Sequence, residues 1–477
     1  LVELDLSNNH LAGPLRGLHK CEKLETLRLN RNRLSGDLIA LCRCTRLRVL
    51  DLSHNALGGG GMQDLKPLAF CKQLLELNLA NNKLAGPLDY LKDCTLLVQL
   101  NLSTNSFSGE LSALQHMKDL EALNLRSNQL RGSLKPLCGC SQLHELDLRD
   151  NKLNGELGCL ANLEKLCHLR ASNNTFDGSL DGLEKCGELH TLDLSHNYLT
   201  GELAPLAACR KLQTLDLTEN RHANPGGSEG GLSGGLEALK DCKELTELNL
   251  GKNGFKGDLG ALKGLVMLNR LHAHSNQLTG GLKPLKACKE LRKLKLEENK
   301  LEGDLKPLTS LKQLKELDLG QAAQGSANNA KLVLTTEDVA QLQKMLEKCI
   351  LPANVAGAAA GAAAGAAVAA PNVGAAPAAA AEPEGKPEAK PEGEPEAERG
   401  PPARAGSRSS ATVVPAPQDT VAAESTSPGA GSSAVAGEEE AGEAVASTDV
   451  VTHDPVTQIG EGGEAPEGES VAPASAE

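Results

Sequence analysis

One pattern restarts along most of this chain. Leu1, Leu4, Leu6, Asn9, Leu11, Gly13, Leu15, Leu18 and Cys21 are followed by a second copy that begins at Leu24, 23 residues later. Further copies begin at Leu47, Leu74, Leu97, Leu120, Leu143, Leu166, Leu189, Leu212, Leu245, Leu268 and Leu291, with a divergent fourteenth at Leu314. Self-similarity at a short fixed period predicts an array of stacked units, not the separate domains that 477 residues would otherwise suggest. In the L-x-L of each copy the apolar residues alternate, so each unit opens with a short strand whose leucines point one way. No single unit buries that face alone; parallel stacking does. With no Trp, two Tyr and four Phe, the core is predicted to be leucine.

The Asn that closes each L-x-L-x-x-N, from Asn9 and Asn32 through Asn276 and Asn299, sits where the chain leaves the strand. Its amide is suited to satisfy backbone groups of its own turn and of a neighbouring one, a structural role rather than a binding one. Downstream, L-x-x-L-x-x-C steps every three residues, which suits a tight 3₁₀ or short extended segment better than a long α-helix. Pro67, Pro136, Pro205, Pro284 and Pro307 stand just before the second of these leucines, where a missing N–H is tolerated.

The pattern L-x-x-L-x-L-x-x-N-x-L resembles the leucine-rich-repeat family across residues 1–350. That resemblance implies an α/β repeat solenoid: a curved array with a parallel sheet on its concave face and short convex segments. The Asn-x-Leu-x-Gly stretch is similar to plant receptor ectodomains, although the Ile-Pro step of those repeats is missing and each unit is one residue shorter. After Leu314 the pattern breaks, and LVLTTEDVAQLQKMLEKC predicts a short strand and a helix capped by Thr335 with Asp338 three residues on. Its buried stripe is Val339, Leu342, Met345, Leu346 and Cys349. This last unit resembles the ribonuclease-inhibitor type of repeat and is expected to close the solenoid over about residues 331–350. Leu1 already stands at a repeat start, so the N-terminus is expected to be incomplete.

Two insertions, around Gly58–Gln63 and His222–Gly231, read as surface excursions. Residues 351–477 form a second region, rich in Ala, Gly, Pro and Glu, that cannot bury enough apolar surface to fold and is predicted to be a disordered acidic tail. It holds 20 acidic and 5 basic side chains, so the net charge of −13 belongs to the tail, and the remaining 42 acidic and 44 basic residues leave the array near neutral. The uncharged stretch from Cys349 to Ala381 contains Pro371 and Pro377 and is too weakly apolar to span a membrane. Ser407, Ser409 and Ser410, among Arg399, Arg404 and Arg408, are candidate phosphorylation sites.

Nine of fourteen cysteines hold one repeat position, which Met117, Leu163, Leu265 and Leu311 fill elsewhere. Cys alternating with Met and Leu is Cys used as a small hydrophobe. Reduced core thiols favour a cytoplasmic or nuclear setting, with a secreted or surface one left open by the missing N-terminus. Cys42-x-Cys44 and Cys138-x-Cys140 have the look of metal half-sites, but their second members belong to that ladder. Asn101-Leu-Ser103 and Asn173-Asn-Thr175 are glycosylation patterns at the frequency chance provides. No catalytic signature is present, and neither a cofactor nor a metal is expected.

Fourteen strands at about 4.8 Å make an inner face on the order of 65 Å long. At its central position Asp or Asn stands in ten of fourteen units. Repeats twelve and thirteen depart from this with Arg270, His272, His274, Arg292, Lys293 and Lys295, near Lys252. These six are the candidate partner-binding residues, for an acidic or phosphorylated protein. His272-x-His274 lacks a third metal ligand. Only Tyr198, near the edge, offers an aromatic anchor, so binding should lean on charge. The expected function is a non-enzymatic protein-interaction scaffold, monomeric and not aimed at nucleic acid; the alternative is a fragment of a cell-surface or secreted recognition ectodomain.

Overall fold

The computed structural model describes residues 1–58, 64–220, 231–320 and 329–352. Most of both insertions, the linker 321–328, and the tail with Ser407, Ser409 and Ser410 lie outside the described residues.

Fifteen short strands form one parallel sheet in strict chain order, from Glu3–Asp5 to Lys348–Ile350. Neighbours pair one whole repeat apart, Leu4 with Leu27 and Leu27 with Leu50, so the repeat spacing is also the sheet register. The middle residue of each strand points inward and its two flanking residues point out. Within the array those inward leucines are buried, as at Leu50, Leu146 and Leu271. Parallel sheets are usually covered on both faces; this one leaves its outer face to polar side chains.

Each turn after a strand places a non-glycine residue in the left-handed region. Asn8, Arg31, His54 and their equivalents through Glu298 have φ between 54° and 61°. The following Asn holds that turn. Asn128 Nδ2 donates to Leu102 O at 3.0 Å and Leu125 O at 3.1 Å, and its Oδ1 accepts from Phe107 N at 2.9 Å. One amide thus ties its own turn, the preceding turn and the preceding repeat's return stretch. The aromatic Phe107, Phe176 and Phe255 take the place of Leu in that return stretch and are fully buried.

Among the described residues the chain recrosses through thirteen 3₁₀ segments, as the three-residue spacing predicted. Pro67, Pro136, Pro205 and Pro284 lie at their second positions. Pro307 stands immediately before Leu308–Ser310. The Asn-x-Leu-x-Gly stretches also pair with their neighbours, and the longest such ladder runs from Ala85–Gly86 to Thr175–Phe176. These minor ladders were not expected from the sequence.

The last unit differs in one respect from the sequence reading. Lys331–Val333 pairs with Glu302–Asp304 outside the main sheet, and it is Lys348–Ile350, after the helix, that adds the fifteenth strand. The helix Thr336–Met345 begins as predicted, with Asp338 N donating to Thr335 Oγ1 at 3.1 Å. Of the predicted stripe Leu342 is fully buried; Val339, Met345, Leu346 and Cys349 are partly buried against the core.

The cysteine ladder is a ladder of thiols. Cys44, Cys71, Cys94, Cys140, Cys186, Cys209, Cys242 and Cys288 are buried and unpaired, while Cys21 is half-buried. Cys71 Sγ donates to Cys44 O at 3.5 Å and Cys186 Sγ to Leu160 O at 3.5 Å. Burial pushes the Cys44 thiol up to about 11 and the Cys71 and Cys209 thiols up to about 12. Iodoacetamide at about pH 8, near the free-thiol range, should therefore leave these eight unmodified in the native protein and alkylate them in urea. Intact-mass spectrometry counts the adducts, and native labelling of the ladder would contradict the account. Cys138 and Cys159, one repeat apart on the crossover side with Cα atoms 5.0 Å apart, form a disulfide. Their offset positions, 21 residues apart, hid this pair within the 23-residue period.

Candidate partner-binding surface

Because register equals repeat spacing, residues of four repeats lie side by side on the sheet's polar face. One column reads Glu247, Arg270, Lys293, Glu316 and the next Asn249, His272, Lys295, Asp318. Four of the six candidates, Arg270, His272, Lys293 and Lys295, therefore adjoin in these columns, with Arg292 and His274 just outside the same strands, and acidic neighbours flank them. Arg270 Nη1 donates to Glu247 Oε2 at 3.0 Å, and Lys293 Nζ lies 2.7 Å from Glu316 Oε1. Lys252 Nζ, at the adjoining turn, donates to Glu219 Oε2 at 2.7 Å. Repeats twelve and thirteen are basic taken alone; the four-repeat surface is mixed in sign. Arg292 is exposed and Lys295 half-buried.

The two histidines are neutral at physiological pH. Burial, then the Lys295 and Arg270 cations, hold the His272 imidazole down to about 4. His274 is lowered by burial, then by Lys295 and Lys252. Its ring lies over Gly251, so close that a Cβ there would sit 2.5 Å from Nε2; the small residue makes the ring's place. His274 Nδ1 is 3.2 Å from Ser275 Oγ, which donates to Glu298 Oε2 at 2.6 Å. Burial raises Glu297.

Three buried polar atoms in this patch have no hydrogen-bond partner among the described residues: Asn249 Oδ1, His272 Nε2 and Glu297 Oε2. Native proteins satisfy nearly all such groups, and these three fall in three successive repeats. Sequence reading picked out His272 by charge and missed Asn249 and Glu297, whose signal is burial.

Further along the face, Gln99, Asn101, Asn124, Glu145, Asp147 and Arg170 line a depression of about 210 Å³. At its edge Arg149 donates to Asp147 through Nε at 2.9 Å and Nη2 at 2.6 Å, which fixes the carboxylate. A larger depression of about 600 Å³ is lined by Asp258, Gly280, Lys300 and Lys331 among others. Among the described residues no three His, Cys, Asp or Glu groups converge as a metal set, and no helix is long and apolar enough to cross a membrane.

Family models of the leucine-rich repeat match residues 43–66 and 188–208. No curated protein matches the sequence. The fold is similar to the ectodomain of the Arabidopsis thaliana receptor kinase GASSHO1/SCHENGEN3, solved in complex with Casparian strip integrity factor 2: 29% identity, TM-score 0.51, covering 73% of this chain and 50% of that one. An internalin of Listeria monocytogenes matches at 25% identity and TM-score 0.55, over 66% of this chain and 86% of that one. A plant peptide hormone receptor, RGFR1 in complex with RGF2, matches at 23% identity and TM-score 0.62, over 74% and 63%. This chain thus spans 63% and 50% of the lengths of the two plant structures. Repeat, sheet and similarity together make it a leucine-rich-repeat protein, an α/β solenoid of a kind that typically binds rather than catalyses.

Proposed function

We propose that the chain is a non-catalytic protein-interaction module that holds its partner on the concave face, centred on Arg270, His272, His274, Arg292, Lys293 and Lys295. The observation that carries this reading is the register that sets Arg270 beside Lys293 and His272 beside Lys295 on the polar face, with Arg292 exposed next to them. A partner carboxylate or phosphate beside Arg292 and Lys295 would meet two cations at once. His272 and His274, being neutral, act as polar contacts rather than as charges. The partner is then an acidic or phosphorylated protein segment, met by a monomer.

Replacing Lys293 and Lys295 by Glu tests this. Capture of partners from cell extract should fall by roughly tenfold or more, the scale at which like charges are juxtaposed across an interface. Unchanged capture by the folded variant would remove this patch from the account. The second reading, a piece of a recognition ectodomain, is favoured by the likeness to the GASSHO1/SCHENGEN3 ectodomain and by the Cys138–Cys159 disulfide.

A further inference from the structure

We propose a second docking surface on the crossover side of the array, opposite the sheet, for an acidic polypeptide segment with interspersed apolar side chains. The 3₁₀ segments Glu237–Asp241, Gly260–Gly264 and Lys283–Ala287 pack side by side in successive repeats. They carry Lys240, Lys263 and Lys286 at one equivalent position, so these three ammonium groups form a line across the array. Around the last two is a depression of about 470 Å³ lined by Lys263, Lys283, Pro284, Lys286, Ala287 and Lys289.

These lysines lack the internal partners that Arg270, Lys293 and Lys252 have on the concave side. Arg270, Lys293 and Lys252 each have a carboxylate within 3.0 Å. Lys240, Lys263, Lys283 and Lys286 are exposed, and none pairs with a carboxylate among the described residues; Lys289 Nζ donates only to Ser310 Oγ, at 3.4 Å. Four like charges around one depression repel one another, and the arrangement gains from an anion that neutralises them.

The chemistry of the surroundings selects the anion's source. Residues 236–244, 259–267 and 282–290 contain neither Arg nor an aromatic residue. That leaves no bidentate phosphate fork and no stacking platform, the features by which nucleic acid is held. Val266 and Met267 are 50% and 53% exposed beside Lys263, in the turn equivalent to Lys289–Glu290. Pro284 and Ala287 are half-buried in the depression itself. A recess with an apolar floor and a lysine rim admits a side chain projecting from a peptide, whereas a bilayer would need the floor to project.

The test uses the full chain and a fluorescein-labelled peptide of repeated Glu-Glu-Leu, followed by anisotropy at low and physiological salt. Saturable, salt-sensitive binding is expected, weakened about tenfold or more by Lys263→Glu, Lys286→Glu and Lys289→Glu together. The Gln counterparts at the same positions, which add no repulsion, should weaken it by a smaller factor while leaving the unfolding midpoint unchanged. Lys92→Glu with Lys118→Glu, exposed lysines of distant repeats, should leave peptide affinity within about twofold. Absence of saturable peptide binding, equal loss from that distant pair, or a stronger dependence on these lysines for phosphatidylserine vesicles or oligo-dT would overturn the proposal.

Discussion

Replacing Asn197 by Ala is expected to destabilise the centre of the array by about 2–4 kcal/mol. Asn197 is buried, its Nδ2 donating to Ala171 O, Leu194 O and Ser195 O, each at 3.1 Å, while Phe176 N donates to Oδ1 at 3.0 Å. The carbonyls keep other donors: Asn174 Nδ2 still reaches Ala171 O and Asn220 Nδ2 still reaches Leu194 O. The Phe176 N–H is left without a partner in a dry interior, and a small cavity opens beside it. Asp at the same place keeps the shape but replaces two donors by a charge facing three carbonyl oxygens, and should cost more. Asn9, exposed at the first repeat, bonds only to Leu6 O and Ser7 O of its own turn. Asn9→Ala should therefore cost under about 1 kcal/mol. The comparison is read from urea midpoints and from hydrogen exchange around Phe176. Equal effects at the two positions would show that the inter-repeat bonds do not hold the stack together.

Phe176→Ala should cost about 3–5 kcal/mol, the range for emptying a fully buried aromatic site. The ring is 0% exposed and stands where the adjoining repeats have Leu153 and Leu199. Phe176→Leu should then cost under about 1.5 kcal/mol, because the neighbouring units already pack leucine in that layer. Thermal unfolding of the two variants separates them. A Leu variant as damaged as the Ala one would mean that the ring, not the filled volume, is what the layer requires.

These effects follow from positions that the period made legible. The alternation of Leu146 with its neighbours, the Asn ladder and the exchange of Cys140 for Leu163 at one position each predict a structural role, and each has it. The minor ladders of the Asn-x-Leu-x-Gly stretches were not legible, because two to four residues with a glycine carry little alternation. The strand at Lys348–Ile350 was hidden for a similar reason: Cys349 reads as the last turn of the helix until the register with Leu317 is known.

The candidate surface was half legible. Charge alone drew attention to Arg270, Arg292, Lys293 and Lys295. Pairing depends on which repeats adjoin, so the neutralising role of Glu247 and Glu316 required the register. The three unpartnered atoms required burial, which composition does not record. The lysines of the crossover side recur at the same 23-residue spacing, yet within a single repeat they resemble ordinary solvated residues. Their significance lies in forming no ion pair with a carboxylate among the described residues.

The central claim, that a protein partner sits on the concave ribbon, is tested most directly by site-specific photo-crosslinking. A photoreactive residue would replace Asn269, beside Arg292 at the edge of the patch, or Gln115, exposed on the crossover side far along the array. Irradiation in cell extract should give protein adducts from position 269 and none of the same species from position 115, and the Lys293→Glu, Lys295→Glu background should abolish them. Adducts confined to position 115, or adducts at 269 that persist in that background, would contradict it.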